Sequence, residues 1–141
     1  MTPNQVTLIQ ESFAKVAPIS EQAAVLFYDR LFEIAPEVRA MFPEDMTGQR
    51  RKLMTMLAAV VNGLGNIESI LPAASALAKR HVGYGAEAEH YPVVGAALLW
   101  TLEQGLGDGW TAELAEAWST AYATLSGYMI SEAYDRREAA E

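Results

Sequence analysis

The chain has 141 residues, 51% of them hydrophobic, which suits one domain, residues 1–141, with a sizeable core. Its formal net charge of −8 argues against nucleic acid as a partner, and the absence of cysteine excludes disulfides, zinc–thiolate sites, iron–sulfur clusters and thiol catalysis. No apolar run approaches the roughly 20 residues a membrane span needs, and the N-terminus lacks a basic stretch followed by an apolar one, so a cytoplasmic protein without membrane insertion is the expectation.

Every long segment repeats with a helical period and none alternates as a strand does, so the fold class is all-α. Thr2-Pro3-Asn4-Gln5 starts the first helix: Thr2 caps, Pro3 suits the first helical position and Gln5 completes a capping box. Val6, Ile9, Phe13 and Val16 form its stripe, and Pro18 ends it. Ser20 can cap the second helix, whose stripe is Ala24, Phe27, Tyr28, Leu31 and Ile34, with Pro36 as its stop. Pro36 to Met41 reads as a short third helix, and Pro43 to Gly48 as a loop.

The next helix runs from about Thr47 to Leu64, with Leu53, Met56, Leu57, Val60 and Leu64 on one face and Gly63 and Gly65 at its end. A further helix leads to His81 and is closed by Gly83 and Gly85. His90-Tyr91-Pro92 opens another that continues to about Leu106, and Gly107-Asp108-Gly109 is a turn. Thr111 caps the last helix, which extends to about Arg137. Seven or eight helices with short links can bury their faces as an antiparallel bundle or in a globin-like arrangement. A short helix at Pro36–Met41 fits a simple four-helix bundle poorly.

His81 is one of two histidines, and it shares a face with Leu77 and has Ala74 and Ala78 beside it. A titratable ring on an inward face needs a partner. Either it is a core histidine bonded to a carbonyl, or it is a metal ligand. In the last helix Trp118, Tyr122, Leu125, Met129 and Glu132 recur at spacings of four and three, which turns Glu132 inward. That carboxylate either reaches water beyond the core or meets a partner inside, such as the ring N–H of a ligand histidine. Of ten Lys and Arg, five lie in two clusters, Arg50-Arg51-Lys52 and Lys79-Arg80. The first cluster opposes the dipole of its helix start, at a cost of a few tenths of a kcal/mol for each cation.

Phe27-Tyr28 in mid-helix, Pro36, Phe42, Gln49 and Leu53 one turn apart, and then His81 form an ordered set. With the stretches LFYDRLFEIAPEVRAMF, GQRRKLMTML, RHVGYG, HYPVVG and AWSTAY, it resembles the globin family along essentially the whole chain. The likeness is to single-domain bacterial haemoglobins and the haem domain of flavohaemoglobins. It implies a globin fold with a haem b (iron protoporphyrin IX) between the helix carrying Gln49 and Leu53 and the helix carrying His81. In that pattern His81 matches the proximal iron ligand, and Phe42 the aromatic residue packed on the porphyrin. Tyr28 and Gln49 match the distal hydrogen-bonding residues, the pair on which any catalytic role would rest, and Leu53 the apolar residue beside them. Tyr91 matches a proximal-side tyrosine. Lys52, another member of its cluster, or Lys79 or Arg80, is expected to reach a haem propionate.

The resemblance implies a protein that reversibly binds dioxygen, and NO and CO as well. It also implies a second activity, a nitric oxide dioxygenase that forms nitrate. That activity would need a separate electron-donating reductase, since the sequence ends at Glu141 without room for one. A haem-based gas sensor is a further alternative. One departure stands out: the family's last-helix glutamate position falls on Ala133, with Glu132 one residue earlier, a rotation of about 100° on a helix. Either that helix is offset and Glu132 serves, or the pairing behind the proximal histidine is lost.

Overall fold

The structure, a computed structural model, describes residues 2–42, 44–83 and 90–131. These form six α-helices: α1 (Pro3–Val16), α2 (Ser20–Ile34), α3 (Thr47–Gly63), α4 (Leu71–Gly83), α5 (His90–Leu106) and α6 (Ala112–Ile130). Short 3-10 helices cover Ala17–Ile19, Pro36–Met41, Leu64–Ser69 and Gly107–Gly109, and there is no strand among the described residues.

The helix starts follow local chemistry. At α1 the Gln5 amide donates to Thr2 Oγ1 at 3.1 Å, and the Thr2 amide donates to Gln5 Oε1 at 3.0 Å, the reciprocal pair of a capping box. At α6 the Leu114 amide donates to Thr111 Oγ1 at 3.1 Å. Ser20 does not cap α2; it is the first helical residue, Ile19 precedes it, and the tight turn around Pro18 supplies the entry instead. Ala35, ahead of Pro36, leaves the helical region at φ −141° and ψ 72°, as the clash with a following proline ring requires. Beyond α3 the chain kinks at Asn66 and bends by 114° before α4. The bend brings Ile70 against Gly63, where an added Cβ would lie 2.3 Å from Ile70 Cγ2.

α2 packs most extensively on α5, and α1 on α6. Ile9, Phe13, Val16, Phe27, Leu31, Leu98, Leu102, Leu114 and Trp118 form the centre of the core. Each large side chain removed from water there contributes about 1.5–3 kcal/mol. A buried polar pair ties α1 to α6: the Trp118 indole N–H donates to Ser12 Oγ at 3.0 Å, and Ser12 Oγ donates to the Ile9 carbonyl at 2.9 Å. The expected inward stripes of α1 and α2 are buried, apart from half-buried Val6 and from Ile34, which lies at the end of α2 and is 40% exposed. No single described helix is long and apolar enough to cross a membrane.

Candidate functional site

α3, α4 and the C-terminal part of α6 are less fully buried. On α3 only Val61 is buried, while Leu53, Met56, Leu57 and Val60 are half-exposed. Leu77 on α4 and Leu125 and Met129 on α6 are also half-exposed, despite lying on inward stripes. α3 packs on α2, and α4 packs on α6, rather than α3 and α4 on each other. Half-exposed apolar side chains leave surface that a flat apolar group can cover.

Two groups of polar and aromatic residues lie on these helices and their neighbours. The first is built on α2 and the start of α3. Tyr28 is 5% exposed, and its hydroxyl accepts a hydrogen bond from Gln49 Nε2 at 3.1 Å. A phenol has one proton, so a hydroxyl that accepts from Gln49 can donate that proton to something else. Burial pushes the Tyr28 hydroxyl above its usual range, and the Gln49 bond offsets part of this, so Tyr28 stays protonated at neutral pH. Its ring meets Phe42 edge-on at 5.5 Å and Phe27 edge-on at 4.9 Å. Phe32 completes the cluster, 5.5 Å from Phe42 and 5.9 Å from Tyr28. The Arg39 guanidinium lies over Phe32 and donates to the Phe42 carbonyl at 3.3 Å and the Glu44 carbonyl at 3.2 Å, which pins the segment carrying Phe42. Leu53, one turn after Gln49, is packed against the core and borders a void of about 10 Å³ shared with Phe27, Leu57 and Trp118.

The second group lies on α4, α5 and α6. His81 is half-buried, and its Nδ1 sits 2.8 Å from the Leu77 carbonyl oxygen. A carbonyl only accepts, so Nδ1 carries the proton, and in the neutral ring Nε2 then holds the lone pair. This is the second-shell bond that orients a ligating imidazole. The two readings of His81, carbonyl-bonded core residue or ligand, are therefore not exclusive: the carbonyl bond prepares the other nitrogen. The Tyr91 ring is buried and stacks on His81, with centroids 6.4 Å apart and planes 30° apart. Tyr122 Oη donates to the Tyr91 carbonyl at 2.5 Å.

The remaining expectations fall as follows. Arg51, Lys52, Lys79 and Arg80 are exposed, and Arg50 is half-buried. His90 is the first residue of α5 and half-buried. Gly85, Glu132, Ala133 and Arg137 lie outside the described residues. Sequence reasoning placed Tyr122 on an inward stripe without a role, and left out Phe32, Arg39 and the Leu77 carbonyl. The four-residue step from Leu77 to His81 is the signal for the last of these.

The donor set fits a haem. Among the described residues no group of three or more His, Cys, Asp or Glu could hold a bare metal ion. A haem iron, whose other equatorial positions belong to the porphyrin, needs one imidazole from the protein. The half-exposed apolar side chains of α3 and α4 suit a flat apolar ligand.

The globin family model matches residues 25–129. The chain is 33% identical over 133 residues to a flavohemoprotein of Rhodopirellula baltica, covering 92% of this chain and 33% of that protein. It is 36% identical over 120 residues to the flavohemoprotein of Bacillus subtilis, covering 82% of this chain and 30% of that protein. It thus spans about a third of the length of these relatives. Among solved structures, an engineered carbene transferase built on a candidate nitric oxide dioxygenase from Rhodothermus marinus superposes with a TM-score of 0.87. The identity is 27%, covering 100% of this chain and 99% of that one. A bacterial globin from Campylobacter jejuni shares the fold, with a TM-score of 0.84 at 24% identity, covering 97% and 99% of the two chains. The chain belongs to the globin family, whose members typically bind haem.

Proposed function

We propose that the protein binds haem b between α3 and α4 and uses it to bind dioxygen reversibly, and NO and CO as well. The observation that carries this reading is the hydrogen-bond pattern of His81 and of the Tyr28–Gln49 pair. His81 donates from Nδ1 to Leu77, which aims the lone-pair chemistry at Nε2, while Tyr28 accepts from Gln49, which releases its own proton for a ligand. Haem b would supply an iron that binds a diatomic gas, with His81 as the residue that would hold it.

The roles of the chain's residues follow. His81 would hold the iron through Nε2, with the Tyr91 ring beside it. Phe42 would pack on the macrocycle. Tyr28 donates its hydroxyl proton to the bound ligand, with Gln49 fixing the phenol's orientation and offering a second donor. Leu53 limits water beside them. Lys52 or a neighbouring cation pairs with a propionate; being exposed, that pair is worth at most about 1 kcal/mol. The test is reversible spectral change: the haem-loaded ferrous protein should convert to an oxygenated spectrum in air and return under vacuum. Immediate oxidation without an oxygenated form would overturn the reading.

A second reading, a nitric oxide dioxygenase, is favoured by the likeness to flavohemoproteins and to a candidate dioxygenase. There Tyr28 would hold dioxygen in place for attack by NO, and electrons would come from a separate reductase. Mixing the oxygenated protein with NO should yield one nitrate for each haem. Release of dioxygen without nitrate would exclude it.

A further inference from the structure

Tyr122 lies across the first turn of α5 from its place on α6. Its hydroxyl donates to the Tyr91 carbonyl, and its ring occupies the space where Gly95 lacks a side chain. A Cβ on Gly95 would lie 2.6 Å from Tyr122 Cε2 and 2.9 Å from Cδ2, so no other residue at that position admits the ring where it stands. Both atoms belong to a rigid ring with a bonded tip, which cannot swing aside cheaply. Burial pushes the Tyr122 hydroxyl well above its usual range, nearby Tyr91 adds to this, and the Gly95 amide acting on the oxygen opposes it.

The carbonyl that Tyr122 grips belongs to the residue whose ring stacks on His81. Two contacts among the described residues bear on His81: its own Nδ1 bond to Leu77, which constrains the ring along α4, and the Tyr91 ring stacked beside it, which limits rotation about the Cβ–Cγ bond. We propose that Tyr122 is a positioning residue for His81: by clamping the first turn of α5 to α6, it fixes the Tyr91 ring and so sets the rotation of the imidazole. This rests on the haem reading above for its consequence at iron, though the geometry of the three residues stands without it.

The experiment compares wild type with Tyr122→Phe, which keeps the ring in the Gly95 hollow and removes the clamp, and with Gly95→Ala, which displaces the ring. Two readouts are taken beside thermal stability. In the apo-protein, the His81 ring 15N and 1H resonances report the imidazole's setting. In the haem-loaded ferrous protein, resonance Raman reports the iron–histidine stretching band. We expect both variants to shift the His81 ring resonances, and Tyr122→Phe to shift or broaden the stretching band while retaining haem. A lowered melting temperature with unchanged resonances and an unchanged band would make Tyr122 a packing residue only and overturn the proposal. A wild-type chain that takes up no haem would refute the haem reading, and the apo-protein resonances would still decide this one.

Discussion

Replacing Tyr28 with phenylalanine separates a distal hydrogen-bond donor from a core aromatic. The substitution keeps the ring, and with it the edge contacts to Phe27 and Phe42, and removes only an oxygen that accepts from Gln49 at 3.1 Å. In the absence of ligand, one neutral hydrogen bond worth about 0.5–1.5 kcal/mol is lost. The variant also buries no hydroxyl at a site that is 5% exposed, so the two effects largely cancel and stability should change by less than about 1 kcal/mol. With ligand present the balance differs. A hydrogen bond to a charge-bearing group is worth about 1.5–3 kcal/mol. Gln49, freed from Tyr28, can replace part of it, which favours the low end, roughly 1.5 kcal/mol or a tenfold change in rate. Stopped-flow displacement of dioxygen by CO should therefore show dissociation about tenfold faster in Tyr28→Phe, with a nearly unchanged urea midpoint in the apo-protein. An unchanged dissociation rate beside a large drop in stability would mean that Tyr28 is a structural tyrosine.

Three further outcomes are expected. Ser12→Ala leaves the Trp118 indole N–H, in a side chain that is 4% exposed, without its acceptor, and should cost about 1–3 kcal/mol in urea denaturation; an unchanged midpoint would refute this. Gly63→Ala gains about 1 kcal/mol of helix propensity but meets the stiff β-branched Ile70 at 2.3 Å, a clash worth about 1–3 kcal/mol, so its melting temperature should fall; a rise would show that Ile70 rotates clear. Tyr28 and Tyr122 both titrate above their ordinary range in the folded protein, so above the unfolded tyrosine value near pH 10 the unfolded chain loses protons that the folded one keeps. Stability should therefore fall as pH rises through that region, and Tyr28→Phe and Tyr122→Phe should each flatten the fall; identical alkaline slopes would contradict it.

Helix positions were readable because their signals are local. Thr2 with Gln5, Thr111, the prolines and the Gly63 region act within one turn of chain, and the observed boundaries follow them. Ser20 shows the limit: a good capping residue is displaced by one position when a proline turn sets the entry. Burial was readable where helices pack on helices, as for Ile9, Phe13 and Phe27, and only partly on α3, where Leu53, Leu57 and Val60 touch the core but stay half-exposed. Periodicity reports which side of a helix is apolar but not what covers it. Of the site, the family resemblance implied Tyr28 and Gln49 as two separate donors to a bound ligand; the bond between them, across 21 positions, is visible only in the structure. The Tyr91 carbonyl was not readable as the partner of Tyr122, because backbone atoms have no sequence identity and their use depends on side-chain rotamers.

The central claim is that His81 holds a haem between α3 and α4. Titrating apo-protein with haem while recording the Soret absorption, for wild type and His81→Ala in parallel, tests it directly. The wild-type chain should saturate at one haem and give the ferrous spectrum of a histidine-ligated globin, and His81→Ala should bind weakly or give a spectrum without that ligand. No Soret band in the wild type, or the same spectrum and retention in His81→Ala, would contradict the account.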